Sequence, residues 1–358
     1  MKIFIDILTP KQCMLFARLS ERLTKRGHEI FQTTREYREV LQLLHLKGIH
    51  VKVVGKHGGG RLLDKLKANA ERTLQLTTLI EKWKPDVAVS FSSPEAARVA
   101  FGLGIPHICI NDSPHAEAVA RLTIPLSEML LTPKIIPKKA WTKFGISADK
   151  IVQYNALDAW AWLKDFKPNE KILTELGLDK ARLILTFRTE ETFASYLLQR
   201  AQKIPIIVST IRELLQTSRD TQVVVLPRYE GQISALKGIF HEKVVICHTT
   251  IDAASLLSFT SVFVGAGGTM TSEAVLLGVP TFSCYPEEPY LIEQYLLSKR
   301  LAIRETDPRK LAKRILETLD NLKTERKRQF DKARRLVSAF EDPVDVIVKA
   351  VEDVNPVA

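Results

Sequence analysis

Short apolar runs alternate along this chain with longer stretches whose apolar residues recur every three or four positions. In the first half, runs at 2–8, 29–33, 50–54, 86–90 and 107–110 predict strands, and segments 13–26, 35–47, 62–83 and 94–103 predict helices between them. Gly27, Gly48 and Gly104 stand just past the ends of three of these helices, where a left-handed cap is expected. A polar stretch at 164–171, KDFKPNEK, interrupts the alternation and predicts a linker. A second set of strands follows at 183–186, 221–226, 244–247, 262–264 and 281–283. The chain closes with helices over 308–322 and 343–354, opened by Asp307-Pro308 and Asp342-Pro343, each an N-cap followed by proline at the first helical position. This alternation predicts an α/β protein of two Rossmann-like domains, residues 1–165 and 170–335, followed by a helical segment at 343–358. A ligand cleft is expected between the halves, at the carboxyl ends of their strands.

Residues 261–283, SVFVGAGGTMTSEAVLLGVPTFS, carry the strongest chemical signal. An apolar strand runs into Gly265-Ala266-Gly267-Gly268, then into a helical segment bearing Glu273. Glycines at such a turn admit a ligand to the backbone, and the new helix offers N–H groups and a positive dipole end to an anion. Glu273 lies about one turn further, at a reach suited to a ribose diol. A nucleotide diphosphate is the implied ligand. A turn kept only for tight packing is the bland alternative. A dinucleotide fold fits less well, because Met270 occupies the third glycine position of G-x-G-x-x-G.

With 358 residues and 45% hydrophobic content there is material for two cores and no run long enough to span a bilayer. The chain enters its first strand at once, so no cleavable leader is expected. Cys13, Cys109, Cys247 and Cys284 are scattered, which suits a reducing, cytoplasmic setting and argues against structural zinc. The net charge of +11 comes without a nucleic-acid-binding signature, so no nucleic acid is expected. Attraction to phosphorylated substrates or to an anionic membrane surface explains the charge as well.

Asn111-Asp112-Ser113-Pro114-His115-Ala116-Glu117 follows a strand. Asp112, His115 and Glu117 make a general-base constellation for an acceptor hydroxyl, with His115 the base because an ordinary pKa near 6.5 suits proton transfer at neutral pH. Alternatively, Asp112 or Ser113 caps a helix beginning near Pro114. Asp6, within the apolar first strand, must be paired or face the cleft, Lys11 or a helix N-terminus being the nearest partners. Gly58-Gly59-Gly60-Arg61 reads as a flexible basic loop.

The V-G-A-G-G…E-A…G-V-P pattern within two α/β halves resembles GT-B glycosyltransferases, in particular the UDP-N-acetylglucosamine-dependent transferase of peptidoglycan synthesis, and the related UDP-N-acetylglucosamine 2-epimerase. FIDILTPKQ, NDSPHAEAVARLTIP and YNALDAWAWL resemble, more closely still, a largely archaeal GT-B-like family catalogued as a domain of unknown function. The resemblance implies a GT-B fold and a nucleotide-sugar substrate, UDP-linked, with no separate cofactor and no metal. It implies that Gly267, Gly268 and Thr269 meet the pyrophosphate and Glu273 the ribose. Arg188 is implied to face the donor and to hold a phosphate, or else to bridge Glu190 or Glu191. Arg228 sits in a turn that walls the base, and Tyr290 and Gln294 reach the sugar. The helix at 343–354 is implied to pack back on the N-terminal domain through Val344, Ile347, Val348 and Val351. Epimerases carry H-R-R-E-N where this chain has Arg188-Thr189-Glu190-Glu191-Thr192, and G-D where it has Phe91-Ser92-Ser93. These departures place a transferase, with an unidentified lipid- or phosphate-linked acceptor, ahead of a 2-epimerase or a non-catalytic nucleotide-sugar-binding protein.

Overall fold

A computed structural model describes residues 1–189 and 205–354. The chain divides into two compact units. One comprises Met1–Trp162 together with residues 341–354; the other comprises residues 163–189 and 205–340. The division falls at the start of the polar stretch that breaks the sequence pattern.

The first unit is built on seven strands: β1 (Lys2–Ile7), β2 (Glu29–Glu36), β3 (Lys52–Lys56), β4 (Val87–Ser90), β5 (His107–Ile110), β6 (Met129–Pro133) and β7 (Ile151–Tyr154). All pairings are parallel, in the order β3-β2-β1-β4-β5-β6-β7. The order reverses between β1 and β4, the position at which open α/β sheets bind ligands beyond their strand ends. Strands β6 and β7 are absent from the hydrophobic reading because β6 ends in proline and β7 has only four residues, two of them polar or half-buried.

Asp6 lies in the central strand with no exposed surface. Its partner is not Lys11 but Arg72, whose Nη1 and Nη2 donate at 3.0 and 2.5 Å, with Thr33 Oγ1 at 2.7 Å and Ser93 Oγ at 2.6 Å. Burial alone would raise this carboxyl's pKa; the Arg72 charge and these donors overcome it and hold Asp6 below its ordinary value. The buried pair thus pins the long helix Leu62–Trp83 to the central strand.

Helix Pro343–Glu352 belongs to the first unit, where it packs on helix Pro10–Lys25. Asp342 caps it, accepting from Val344 N at 2.9 Å, and Val344, Ile347, Val348 and Val351 are buried. Full burial of such side chains contributes roughly 1.5–3 kcal/mol each. Arg22 pairs with Asp345 at its start and Arg26 with Glu352 at its end.

The second unit repeats the plan with β8 (Leu183–Arg188), β9 (Thr221–Leu226), β10 (Val245–Ile246), β11 (Val262–Gly265), β12 (Thr281–Ser283) and β13 (Ile303–Arg304), parallel in the order β10-β9-β8-β11-β12-β13. Successive strand residues feed opposite cores. Leu185, Phe187, Val223 and Val225 pack with Ile211, Leu311 and Ile315, while Ile184, Val224 and Leu226 pack with Leu256 on the other face. A sheet covered on both faces explains why its strands read as continuous apolar runs. The helix expected over 308–322 ends at Asp320, and a separate helix runs Leu322–Val337.

Candidate functional site

In the second unit the sheet order reverses between β8 and β11, and Arg188 pairs in register with Gly265. The glycine turn therefore emerges at the reversal point. Gly267 has φ 78° and Gly268 φ 89°, left-handed backbone that glycine adopts without strain. Gly268 is the N-cap of helix Thr269–Leu276, so the first N–H groups of that helix open where the glycines leave no side chain in the way. Glu273 is buried on this helix, one turn in.

The two arginines divide the work. Arg188 Nη1 donates to the carbonyls of Pro227 and Leu226 at 2.8 and 3.4 Å, locking the ends of β8 and β9 together. Arg228 donates through Nε to the Thr189 carbonyl at 3.0 Å, and its Nη2 lies 3.6 Å from where a Gly268 Cβ would stand. Arg228 is thus a cation beside the glycine turn. Glu190 and Glu191, the alternative partners for Arg188, lie outside the described residues.

Glu293, on helix Leu291–Ser298, is the residue that sequence reasoning missed here. It is buried, Ser283 Oγ donates to its Oε1, and its Oε2 lies 3.0 Å from where a Gly267 Cβ would stand. Burial raises its pKa; the Ser283 bond and the Arg304 charge oppose that without cancelling it. Its neighbour Gln294 was named instead, but that side chain is exposed and donates to the Pro289 carbonyl at 2.7 Å. Tyr290 accepts from Tyr285 OH at 3.0 Å, with ring centroids 5.5 Å apart.

In the first unit, loops after β1, β4, β5 and β7 converge on one ammonium. Lys11 Nζ contacts a carboxylate oxygen of Asp112 and one of Asp158, and lies 4.4 Å from the Phe91 ring centre. Tyr154 OH donates to Asp158, and Ser113 Oγ to Asp112 at 2.8 Å. Asp112 is half-buried, yet Lys11 holds its pKa below the ordinary value; Asp158 is raised, because burial and the Asp112 charge outweigh its share of Lys11. Asp158 and Lys11 were not singled out as a pair. The available signal was a lone acid inside the apolar run 156–163.

The other members of the proposed base group are differently placed. Pro114 and His115 form a turn, and the helix begins at Glu117, later than the capping alternative requires. Burial lowers the His115 pKa to about 4, with Asp112 opposing it, so the imidazole is neutral at pH 7 but a weaker base than an ordinary histidine. Glu117 is exposed and paired with Lys143 at 3.2 Å and Arg121 at 3.7 Å.

The family described as "Protein of unknown function (DUF354)" matches residues 1–355. This chain belongs to that family. An uncharacterized protein of Methanocaldococcus jannaschii is 33% identical over 355 residues, covering 98% of this chain and 97% of its own. Among solved structures, the UDP-GlcNAc 2-epimerase of Neisseria meningitidis, bound to UDP-GlcNAc, aligns with TM-score 0.74 and 15% identity over 99% of this chain and all of its own. A glycosyltransferase of Streptomyces sp. SF2575 aligns with TM-score 0.60 and 16% identity over 99% of this chain and all of its own. The DUF354 chain therefore has the GT-B fold, two Rossmann-like units in one α/β chain. Among its described residues no helix is long and apolar enough to cross a membrane.

Proposed function

We propose that this protein is a GT-B-like glycosyltransferase that takes its sugar from a nucleotide-sugar, UDP-linked, donor. The observation that carries the reading is the Gly267-Gly268 turn at the sheet-order reversal, with Arg228 alongside and Glu273 one helical turn in. The Neisseria neighbour, whose structure holds UDP-GlcNAc on the same fold, supports it. The donor diphosphate rests on the helix N-terminus and Arg228, and the ribose hydroxyls donate to Glu273. In the transfer, a base takes the proton of the acceptor hydroxyl and the acceptor oxygen bonds to the anomeric carbon. The bond from that carbon to the diphosphate oxygen breaks, and its electron pair leaves with the nucleotide. N–H groups and a guanidinium fixed where that charge develops stabilise the transition state. His115 is the base we assign, since it is neutral at pH 7 while Asp112 is held by Lys11 and Glu117 by Lys143.

A 2-epimerase is the second reading, favoured by the higher TM-score of the epimerase neighbour. One experiment separates the two. UDP-GlcNAc incubated with the protein alone and followed by proton NMR should stay unchanged, because transfer needs an acceptor; appearance of the epimeric UDP-sugar overturns the transferase reading. Calorimetry should show UDP binding that Glu273→Ala weakens by about 1.5–3 kcal/mol. Unchanged affinity in that variant removes the ribose assignment.

A further inference from the structure

Strand β13 forms an edge of the second sheet, and a cavity of about 550 Å³ opens against it. Helix Leu322–Val337 supplies Arg328 and Lys332 to its wall, the turn after helix Leu291–Ser298 supplies Arg300, and β13 supplies Arg304. Against these four cations the lining offers, among the described residues, one carboxylate, Glu325, and Arg328 takes it at 3.0 Å. Arg304 is spent on the carbonyls of Tyr285, Pro286 and Glu287. Two charges remain. The Arg300 guanidinium makes no ion pair among the described residues, and Lys332 Nζ has only the Arg300 carbonyl, at 2.7 Å. Burial and the nearby Arg328 and Arg300 charges hold the Lys332 pKa below its ordinary value, with the Glu325 charge opposing them without cancelling them. Arg300 also holds φ at 53°, in the left-handed region that a non-glycine residue occupies under strain. Gathering like charges about a concavity works against the fold, and an anion would relieve that repulsion.

We propose that this cavity binds an organic phosphate, its dianionic group between Arg300 and Lys332 and its apolar portion against Leu297 and Ile303. Two cations without an ion pair among the described residues match a phosphomonoester dianion, and a guanidinium can meet two of its oxygens at once. A volume of about 550 Å³ lies within the range of small-molecule sites. The site is separate from the glycine turn and requires no particular reading of it.

Phenyl phosphate titrated calorimetrically into the full chain tests this. Wild-type protein should bind it, and Arg300→Gly and Lys332→Met should each weaken it about 10- to 100-fold, the scale of a hydrogen bond to a charged group. Arg300→Gly should at the same time raise the Tm of the ligand-free protein, because glycine relieves the φ 53° strain. That combination separates a lost ligand contact from a damaged fold. Sedimentation with phosphatidic acid vesicles distinguishes the sources of the phosphate: binding lost in Arg300→Gly identifies a lipid headgroup, and its absence alongside phenyl phosphate binding identifies a soluble ester. The proposal is overturned if wild type binds no phenyl phosphate, or if both variants bind it as wild type does. It is equally overturned if Arg228→Ala, and not Arg300→Gly, abolishes binding, since the ester then occupies the glycine turn.

Discussion

Replacing Gly268 by alanine separates the backbone demands of the glycine turn from its chemical role. Gly268 has φ 89° and ψ −175°, a region that side-chain-bearing residues scarcely populate, and holding alanine there costs about 1–3 kcal/mol. The added Cβ would stand 3.6 Å from Arg228 Nη2, an ordinary contact, so sterics within the protein add little. The methyl group would instead occupy the approach of a phosphate oxygen to the helix N-terminus. Losing one charge-assisted hydrogen bond there removes about 1.5–3 kcal/mol, a roughly 10- to 150-fold weaker Kd. Urea unfolding followed by circular dichroism reads the first quantity, and calorimetry with UDP reads the second. Gly265→Ala is the control. Its Cβ would fall 2.9 Å from the Phe263 ring and 3.0 Å from Thr271 Oγ1, so it should destabilise through packing while leaving UDP affinity within about threefold. A Gly268→Ala protein as stable as wild type would contradict the backbone geometry. Normal stability loss with undiminished UDP affinity would refute the phosphate assignment.

Two further outcomes follow from the first unit. Arg72→Met leaves the Asp6 carboxylate buried without its counter-ion and should lower stability by about 3–5 kcal/mol in urea unfolding, with a loss below 1 kcal/mol counting against the pairing. His107, fully buried between Ser90 and Ser127 hydroxyls at 2.8 Å each, has its pKa lowered by burial to about 4 from 6.5. The unfolded chain binds that proton more readily, so stability present above pH 6.5 should fall as pH drops towards 4, by about 3 kcal/mol from this residue. His107→Gln should flatten that part of the profile, and an unaltered slope would show that the histidine is not held neutral.

Which parts were legible from sequence follows from what each signal encodes. Strands buried on both faces leave continuous apolar runs, so the central strands β1, β4, β8 and β11 are plain in the letters. The edge strand β13, two residues long and exposed, leaves none. The glycine turn was readable because backbone conformation restricts residue type at that position. The pairing of Arg72 with Asp6, or of Lys11 with both Asp112 and Asp158, spans 66, 101 and 147 positions and has no local periodicity to betray it. Glu293 was passed over for Gln294 because one position along a helix turns a side chain by about 100°, from the glycine turn to solvent.

Because helix Pro343–Glu352 docks on helix Pro10–Lys25, the first unit is not finished until residues 343–352 have emerged. Roughly 180 residues separate Trp162 from Glu341, and at about 5–20 residues per second a ribosome needs ~10–40 s to bridge them. For that interval the apolar face of helix Pro10–Lys25 waits without its partner while the second unit emerges. The nascent first unit is then the aggregation-prone species, and any truncation ending at Phe340 makes that transient condition permanent.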